Sequence, residues 1–188
     1  MNRKRRLPDF WGKYTNRIPK QLKNLIYQQY FNQERVSAYC DVSLDEVNDR
    51  MSMSCVYVVD GSLSVKSQQI HLPERLKGNN VVGEMKAVIY SLENFRDYLP
   101  KNCNRITVYS DVHIVWECLT LQVEFEDNDA FKIQKELAFK YRKLIEDNDD
   151  VIIKIRFLKM KQHNPFHKAA HNAARKLLNK KVTKGSQM

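Results

Sequence analysis

The alternation of apolar and polar positions divides the chain into helical and strand-like segments. Apolar residues recur every three or four positions in four long stretches, and this spacing predicts helices at 18–31, 82–98, 131–147 and 165–180. Five other stretches are rich in β-branched and aromatic residues, which predicts strands at 36–43, 52–59, 62–72, 105–109 and 151–158. A further short helix is expected at 112–119. The Asp60-Gly61 pair predicts a tight hairpin between the second and third strands.

The order of these segments predicts an α/β architecture. Three strands follow one another directly, and the last two are reached through helices. This order favours a mixed five-stranded sheet, three antiparallel strands and then two parallel ones, with helices on both faces. We therefore expect a basic N-terminal extension with one helix at 1–35, a single domain at 36–181 and a flexible tail at 182–188.

The distribution of charge indicates what kind of molecule the protein binds. The 188 residues carry a net charge of +10, and 43% of them are hydrophobic, which is enough for a proper core. Residues 1–35 and 160–188 each contribute +7, so the middle of the chain has a net charge of −4. Basic ends around an acidic centre are typical of a nucleic-acid enzyme, in which the ends bind the phosphate backbone and the acidic centre binds metal ions. A solvated basic surface without a specific partner is the alternative.

The spacing of the cysteines and the length of the apolar runs indicate the cellular compartment of the protein. No two of the four cysteines form a C-x-x-C pair, so we expect buried free thiols in a reducing environment, without a disulfide framework. No apolar leader segment follows the charged N-terminal residues, and no run has the roughly 18 apolar residues of a membrane span. These features predict a cytoplasmic protein that does not enter a membrane. They leave its oligomeric state open.

Four polar residues are the candidates for chemistry. Asp41 and Asp111 each end a predicted strand, Glu84 begins the helix at 82–98, and His171 lies in the last helix. Carboxylates gathered at strand ends suit divalent cations, which prefer hard oxygen ligands. Each residue also has an ordinary structural alternative. The two aspartates can close strand-end turns, Asp111 can cap the next helix, and Glu84 can be a first-turn acid favoured by the helix dipole.

Three histidines near the C-terminus have a spacing of four residues. His163, His167 and His171 would share one face of a continuous helix, and this pattern allows a zinc site. Pro165, however, places His163 before the helix. A loop position favours His163 as a proton shuttle for the leaving group. A phosphate contact or simple exposure is its alternative.

The same residues resemble the ribonuclease H-like superfamily, and within it ribonuclease HI, over about residues 36–180. The similarity rests on Asp41 at the end of the first strand, the helix that begins Asn79-Asn80 and carries Glu84, Tyr109-Ser110-Asp111, and the segment from Lys159 to Arg175. It implies two Mg²⁺ or Mn²⁺ ions held by Asp41, Glu84, Asp111 and His171. Asp41 would bridge both ions, and His163 would be the mobile catalytic histidine.

The chain departs from the pattern of that family at three positions. Val42 replaces a small glycine, His171 takes the place of the last carboxylate, and His167 that of an asparagine. A histidine at the fourth ligand position favours Mn²⁺ and is known in Argonaute-type nucleases of the wider superfamily.

The resemblance predicts a metal-dependent endonuclease whose expected substrate is the RNA of RNA–DNA hybrids. A nuclease of the same fold that acts on DNA, such as a resolvase or transposase-like enzyme, is one alternative. A catalytically silent nucleic-acid-binding module is another. The residues expected to contact nucleic acid are polar, basic or aromatic: Arg3, Lys4, Arg5, Arg6, Trp11, Asn79, Asn80 and Lys168.

Overall fold

The computed structural model of the chain describes residues 7–45, 50–72, 76, 79–101 and 103–179. Within these ranges the chain forms five strands and five α-helices. The strands are β1 (Val36–Asp45), β2 (Arg50–Val59), β3 (Ser62–Ile70), β4 (Arg105–Ser110) and β5 (Ile152–Phe157). The helices are α1 (Lys20–Tyr30), α2 (Asn80–Asn94), α3 (Val115–Leu119), α4 (Asn128–Glu146) and α5 (Pro165–Asn179). Short 3₁₀ helices also occur at Gly12–Arg17 and Phe95–Tyr98.

The strands form one mixed sheet in the order β3-β2-β1-β4-β5. The pairs β1–β2 and β2–β3 are antiparallel, whereas β1–β4 and β4–β5 are parallel. This confirms the predicted sheet of three antiparallel and two parallel strands. In the parallel β1–β4 pair, Tyr39 lies opposite Tyr109. Asp41 and Asp111 each follow two residues later, so the register brings the two predicted aspartates to neighbouring positions.

The hairpin between β2 and β3 forms at the predicted pair. Asp60 and Gly61 both have positive φ angles, 45° and 76°, as a type I′ turn requires. The backbone N–H of Asp60 donates to the carbonyl of Asn32 at 2.8 Å, and that of Gly61 donates to the carbonyl of Tyr30 at 2.7 Å. The hairpin tip therefore closes against the end of α1.

Each face of the sheet has its own hydrophobic cluster. Alternation along β1 turns Val36, Ala38 and Cys40 toward the cluster that contains buried residues of α2, α3 and α4. Tyr39, from the same strand, belongs to the cluster on the opposite face, with α1 and α5. Because Asp41 follows Tyr39 at the strand period of two, it also faces α5.

The extension before β1 packs on the same face of the sheet as α5. Ile18, Leu22 and Ile26 are buried in the cluster with Phe166 of α5. Gln29 of α1 is also buried and donates to the hydroxyl of Tyr109 at 3.0 Å, while its side-chain oxygen accepts from the hydroxyl of Tyr39. These polar contacts fix the position of α1 over β1 and β4.

The face of helix α5 that packs on the sheet is built from small residues. Ala170 and Ala174 are fully buried there. The hydroxyl of Ser54 donates to the carbonyl of Ala170 at 2.6 Å, and that of Ser52 donates to the carbonyl of Ala174 at 2.7 Å. The small alanines allow α5 to pack directly on β2, and the two serine hydrogen bonds fix which face of the helix is turned toward that strand.

Several boundaries differ from the sequence prediction for identifiable reasons. Helix α4 begins at Asn128, earlier than predicted, because Asp127 caps it by accepting from the backbone N–H groups of Asp129 and Ala130. Helix α3 begins at Val115, later than the predicted 112, and its N-cap residue is Ile114. Asp111 therefore does not cap that helix.

The structure also describes the four cysteines and the apolar content of the helices. All four cysteines are free and buried, as predicted. Among the described residues, no helix is long and apolar enough to cross a membrane. The predicted tail at 182–188 lies outside the described residues.

Candidate active site

Two aspartates from adjacent parallel strands form the centre of the candidate site. Asp41 lies on β1 and is only 4% exposed, and Asp111 directly follows β4. The ends of neighbouring parallel strands meet at one edge of a sheet, where ligands commonly bind. Both predicted strand-end acids therefore lie in one site.

His167 of α5 lies between these two carboxylates. Its Nε2 atom is 3.2 Å from Asp41 Oδ1 and 3.7 Å from Asp111 Oδ2. The ring is 5% exposed, and its Nε2 atom lacks a partner with hydrogen-bond alignment. Burial by itself lowers the pKa of His167, but the contacts with Asp111 and Asp41 outweigh it and raise the pKa to about 9. The metal-free protein thus holds a histidinium between two carboxylates at neutral pH.

Asp111 has a second cationic neighbour. Lys161, in the turn before α5, forms an ion pair with Asp111 Oδ2. The interactions with His167 and Lys161 together lower the pKa of Asp111 to about 2, against the opposing effect of burial. Asp111 is therefore ionised throughout the physiological pH range.

Glu84 is the third predicted carboxylate, and its environment differs sharply from that of Asp111. It is 2% exposed, and its Oε2 atom accepts from the hydroxyl of Ser110 at 2.7 Å. Burial and then the negative charge of Asp111 raise the pKa of Glu84 to about 8, against the opposing effect of the Ser110 hydrogen bond. Glu84 is therefore mostly protonated in the metal-free protein at neutral pH.

The small size of Gly83 explains how the neighbouring Glu84 becomes buried. Gly83 lies where α2 approaches the sheet, and a Cβ atom there would come within 3.0 Å of Met51 Sδ and 3.4 Å of Val42 Cγ1. Any larger residue would push the first turn of α2 outward unless Met51 moved. The side chain of Asn79 caps this turn by accepting from the N–H of Val82 at 3.1 Å.

His171 is the fourth predicted ligand, and it contacts Asp41 from one helical turn beyond His167. Its Nδ1 atom lies 2.9 Å from Asp41 Oδ2. The ring is about half exposed, in contrast to the buried ring of His167. The two histidines thus meet different oxygen atoms of one carboxylate.

The donor set fits a divalent cation. One ligand atom from each of Asp41, Asp111 and His167 lies within 4.8 Å of the other two. The buried Nε2 atom of His167 is directed at both carboxylates without an aligned hydrogen bond, and such an atom is available to a metal. Oxygen and imidazole donors together suit Mn²⁺ as well as Mg²⁺. Glu84 and His171 lie outside this group of three and border it through Ser110 and Asp41.

His163 lies on the turn before α5, as predicted. It has a φ angle of 63°, and its carbonyl accepts from the indole N–H of Trp11 at 2.8 Å. Its side chain lines the same cavity as His167 and His171. Of the three evenly spaced histidines, only His167 belongs to the group that can hold a metal among the described residues.

The residues expected to contact nucleic acid have different positions. Trp11 and Lys168 line the cavity beside the acid cluster. Asn79 and Asn80 lie at the start of α2, near Glu84. Arg3, Lys4, Arg5 and Arg6 lie outside the described residues.

Three contributors to the site were not among the predicted catalytic residues, although His167 was considered as part of a zinc pattern. His167, Lys161 and Ser110 all contact the predicted carboxylates. The spacing of four residues between His167 and His171 was a signal for the first, since it puts both rings on one helix face. Nothing in the sequence indicated the other two.

Comparison with solved structures identifies the fold. The chain is similar to RNase H1 from the halophilic archaeon Halobacterium salinarum NRC-1, with a TM-score of 0.54 and 20% identity over 76% of this chain and 98% of that one. It is also similar to LC11-RNase H1, isolated from compost by a metagenomic approach, with a TM-score of 0.55 and 13% identity over 78% of this chain and 99% of that one. The same enzyme in complex with an RNA/DNA hybrid gives a TM-score of 0.55 at 14% identity, over 76% and 99% of the two chains.

No protein-family model matches the chain, and no curated protein matches it. The likeness of the solved structures therefore establishes the fold alone. The chain has the ribonuclease H-like fold, as its resemblance predicted.

Proposed function

We propose that the protein is a metal-dependent endonuclease that hydrolyses phosphodiester bonds in the RNA strand of RNA–DNA hybrids. The observation that carries the proposal is the cluster of three carboxylates formed by Asp41 on β1, Asp111 after β4 and Glu84 on α2, with His167 and His171 beside it. Asp41 and Glu84 are buried, and Asp111 is partly exposed. The shared fold with LC11-RNase H1, which has been solved with an RNA/DNA hybrid, supports this choice of substrate. The basic ends of the chain supply charge for the phosphate backbone.

Two divalent ions are the proposed cofactors. Asp41, Glu84, Asp111, His167 and His171 would hold them, and the ligand atoms of Asp41, Asp111 and His167 lie close enough together to share one ion. Such ions supply Lewis-acid activation of water and stabilise the leaving oxygen. This assignment adds His167 to the ligands expected from the sequence, because its Nε2 atom is buried against both aspartates.

The protein groups have separate tasks in this proposal. Glu84 must give up its proton before it can act as a carboxylate ligand, and its pKa of about 8 sets the pH at which it does so in the metal-free protein. Lys161 is released from Asp111 and becomes available to a phosphate oxygen. His163, on the turn that borders the site, donates a proton to the leaving group.

A second candidate function is nucleic-acid binding without cleavage. One specific observation favours it: His167 and Lys161 already compensate the charges of Asp41 and Asp111. A cluster that is neutralised by its own side chains has less affinity for a cation than a cluster of free carboxylates.

A cleavage panel separates these functions. Purified protein is incubated with labelled RNA–DNA hybrid, double-stranded RNA and branched DNA, each with Mg²⁺, Mn²⁺ or EDTA. Metal-dependent cutting of the hybrid RNA supports the proposal, and cutting of branched DNA alone identifies a resolvase-like enzyme. Retention of hybrid on the protein without cutting under any metal supports the binding module.

A further inference from the structure

A cavity of about 700 Å³ opens beside the acid cluster, between the N-terminal segment and the start of α5. One wall consists of Phe10, Trp11 and Tyr14, which precede α1. Lys161 and Lys168 line the opposite side, and His167 joins the cavity to the metal-ligand group. Its volume lies within the range of about 300–1,000 Å³ that is usual for small-molecule sites. The cavity is therefore large enough for one nucleotide and adjoins the proposed reaction centre.

The aromatic wall is a fixed part of the fold. Asp9 Oδ1 accepts from the backbone N–H of Gly12 at 2.7 Å and of Trp11 at 3.2 Å, and it also accepts from the hydroxyl of Thr15 at 3.2 Å. These bonds hold the short Gly12–Arg17 helix in place. A surface that is already ordered loses little conformational entropy when a ligand binds.

The same wall is attached to the turn that carries His163. The indole N–H of Trp11 donates to the carbonyl of His163 at 2.8 Å. The ring of Phe10 packs edge-on against Phe166 of α5, with 5.3 Å between the ring centroids. The two sides of the cavity are thus joined by a hydrogen bond and an aromatic contact, which keep their separation constant.

We propose that this cavity binds one unpaired nucleotide of the strand whose phosphodiester reacts at the acid cluster. The base lies against Tyr14 and Trp11, and the phosphate lies toward Lys161 and Lys168. This inference rests on the proposed function and specifies the substrate further, as a hybrid with an unpaired nucleotide next to the cleavage position.

The chemistry of the lining supports an unpaired base in particular. In a duplex both faces of a base are covered by its neighbours, so an aromatic side chain can stack only on a base that has left the helix. Tyr14 is 51% exposed and offers such a surface. Lys13 and Arg17 lie 5.4 and 6.0 Å from the centroid of its ring and place positive charge beside it. Aromatic rings among cations are the usual arrangement for holding single-stranded nucleic acid.

Binding of three hybrids that differ only at one end of the RNA tests the proposal. One is blunt, one carries a single unpaired nucleotide, and one carries the same extension with an abasic sugar. Each is made with the extension at the 5′ or the 3′ end, and the label is on the DNA strand. Dissociation constants are measured by fluorescence anisotropy with the full chain in EDTA, so that metal-dependent cleavage does not contribute.

We expect the unpaired nucleotide at one of the two ends to tighten binding about 5- to 150-fold relative to the blunt hybrid, the range for stacking of one base on an aromatic side chain. The abasic extension should lose this advantage, because it keeps the phosphate and lacks the base. Tyr14→Ala should lose it too. Phe139→Ala removes an aromatic ring that is 69% exposed on α4, outside the cavity lining, and should retain it.

Equal binding of the base-containing and abasic extensions at both ends, or an unchanged advantage in Tyr14→Ala, would overturn the proposal. Because these constants are measured without metal, they are independent of the cleavage panel. A protein that cuts hybrids but shows no advantage for the extension has the proposed function without this pocket. A protein that shows the advantage and cuts nothing has the pocket within a binding module.

Discussion

Glu84→Gln should stabilise the metal-free protein, and the gain should grow with pH. Glu84 is buried, and its pKa is raised from its usual 4.5 to about 8 by burial and the charge of Asp111. An acid whose pKa is raised by folding contributes stability below its unfolded pKa and loses it as the pH rises through its folded pKa. The wild type should therefore lose stability between about pH 4.5 and 8. Glutamine has nearly the same shape, keeps an acceptor for the Ser110 hydroxyl and does not titrate.

The size of this effect follows from the pKa values. Each pKa unit corresponds to about 1.4 kcal/mol, so the raised pKa of Glu84 costs the metal-free fold about 3 kcal/mol at pH 7, where the fold keeps the carboxyl protonated, and about 5 kcal/mol above pH 8, where it is ionised. At pH 4.5 the difference between mutant and wild type from this source should fall to about 0.4 kcal/mol, and it should vanish at lower pH. The titration of His167 is present in both proteins and largely cancels in the difference.

Urea unfolding in EDTA at pH 4.5, 7 and 8.5 measures the three free energies of unfolding. Glu146→Gln, which changes an exposed glutamate at the end of α4, is the matched control and should follow the wild type at every pH. Addition of Mn²⁺ should stabilise the wild type more than Glu84→Gln, since only the wild type supplies that carboxylate. Parallel pH profiles for wild type and Glu84→Gln would refute the strongly raised pKa and the account of the site that depends on it.

Three further predictions follow from the same site. Asp41→Asn should abolish metal-dependent cleavage of hybrid RNA while hybrid binding persists in a gel-shift assay, and a cleaving mutant would contradict the central role of Asp41. Mn²⁺ binding should release protons at pH 7, and the buffer dependence of the calorimetric enthalpy measures how many. This number should fall by about one in His167→Asn, because the His167 ring is protonated in the metal-free wild type. Replacement of the four basic residues at positions 3–6 by glutamine should make log Kd less steep against log salt by about one unit per lost phosphate contact, and an unchanged slope would show that they do not touch nucleic acid.

The sequence predicted the fold well because its strands have clear patterns. The hairpin at Asp60-Gly61 and the end of β4 before Asp111 depend on local chemistry, and both appear where they were predicted. Strand β1 continues to Asp45, so Asp41 lies within the strand and not at its end. Helix starts were less predictable. The start of α4 depends on whether Asp127 turns its side chain back to cap the helix, and a run of acidic residues offers several such candidates.

The site was predicted in part, and the missing part depends on tertiary distances. The role of His167 follows from how closely α5 approaches the sheet, which Ala170 and the Ser54 hydroxyl determine from a distant part of the chain. The burial of Glu84 follows from the close approach of α2 to the sheet at Gly83, where an added Cβ atom would lie 3.0 Å from Met51 Sδ, and a first-turn glutamate does not reveal this approach. The bond from Trp11 to His163 joins residues 152 positions apart, and no local pattern signals it.

The separation of Asp41 from His171 by 130 positions has a consequence for the synthesis of the protein on the ribosome. At synthesis rates of about 5–20 residues per second, α5 is made roughly ten seconds after β1. During this interval the growing chain has its strand aspartate but neither histidine, and Tyr39, Val56 and Val58 lack the helix that covers them. The contacts of both histidines with Asp41 and the cover over these side chains therefore form in one late step, when α5 docks, and an interrupted chain without that helix has neither.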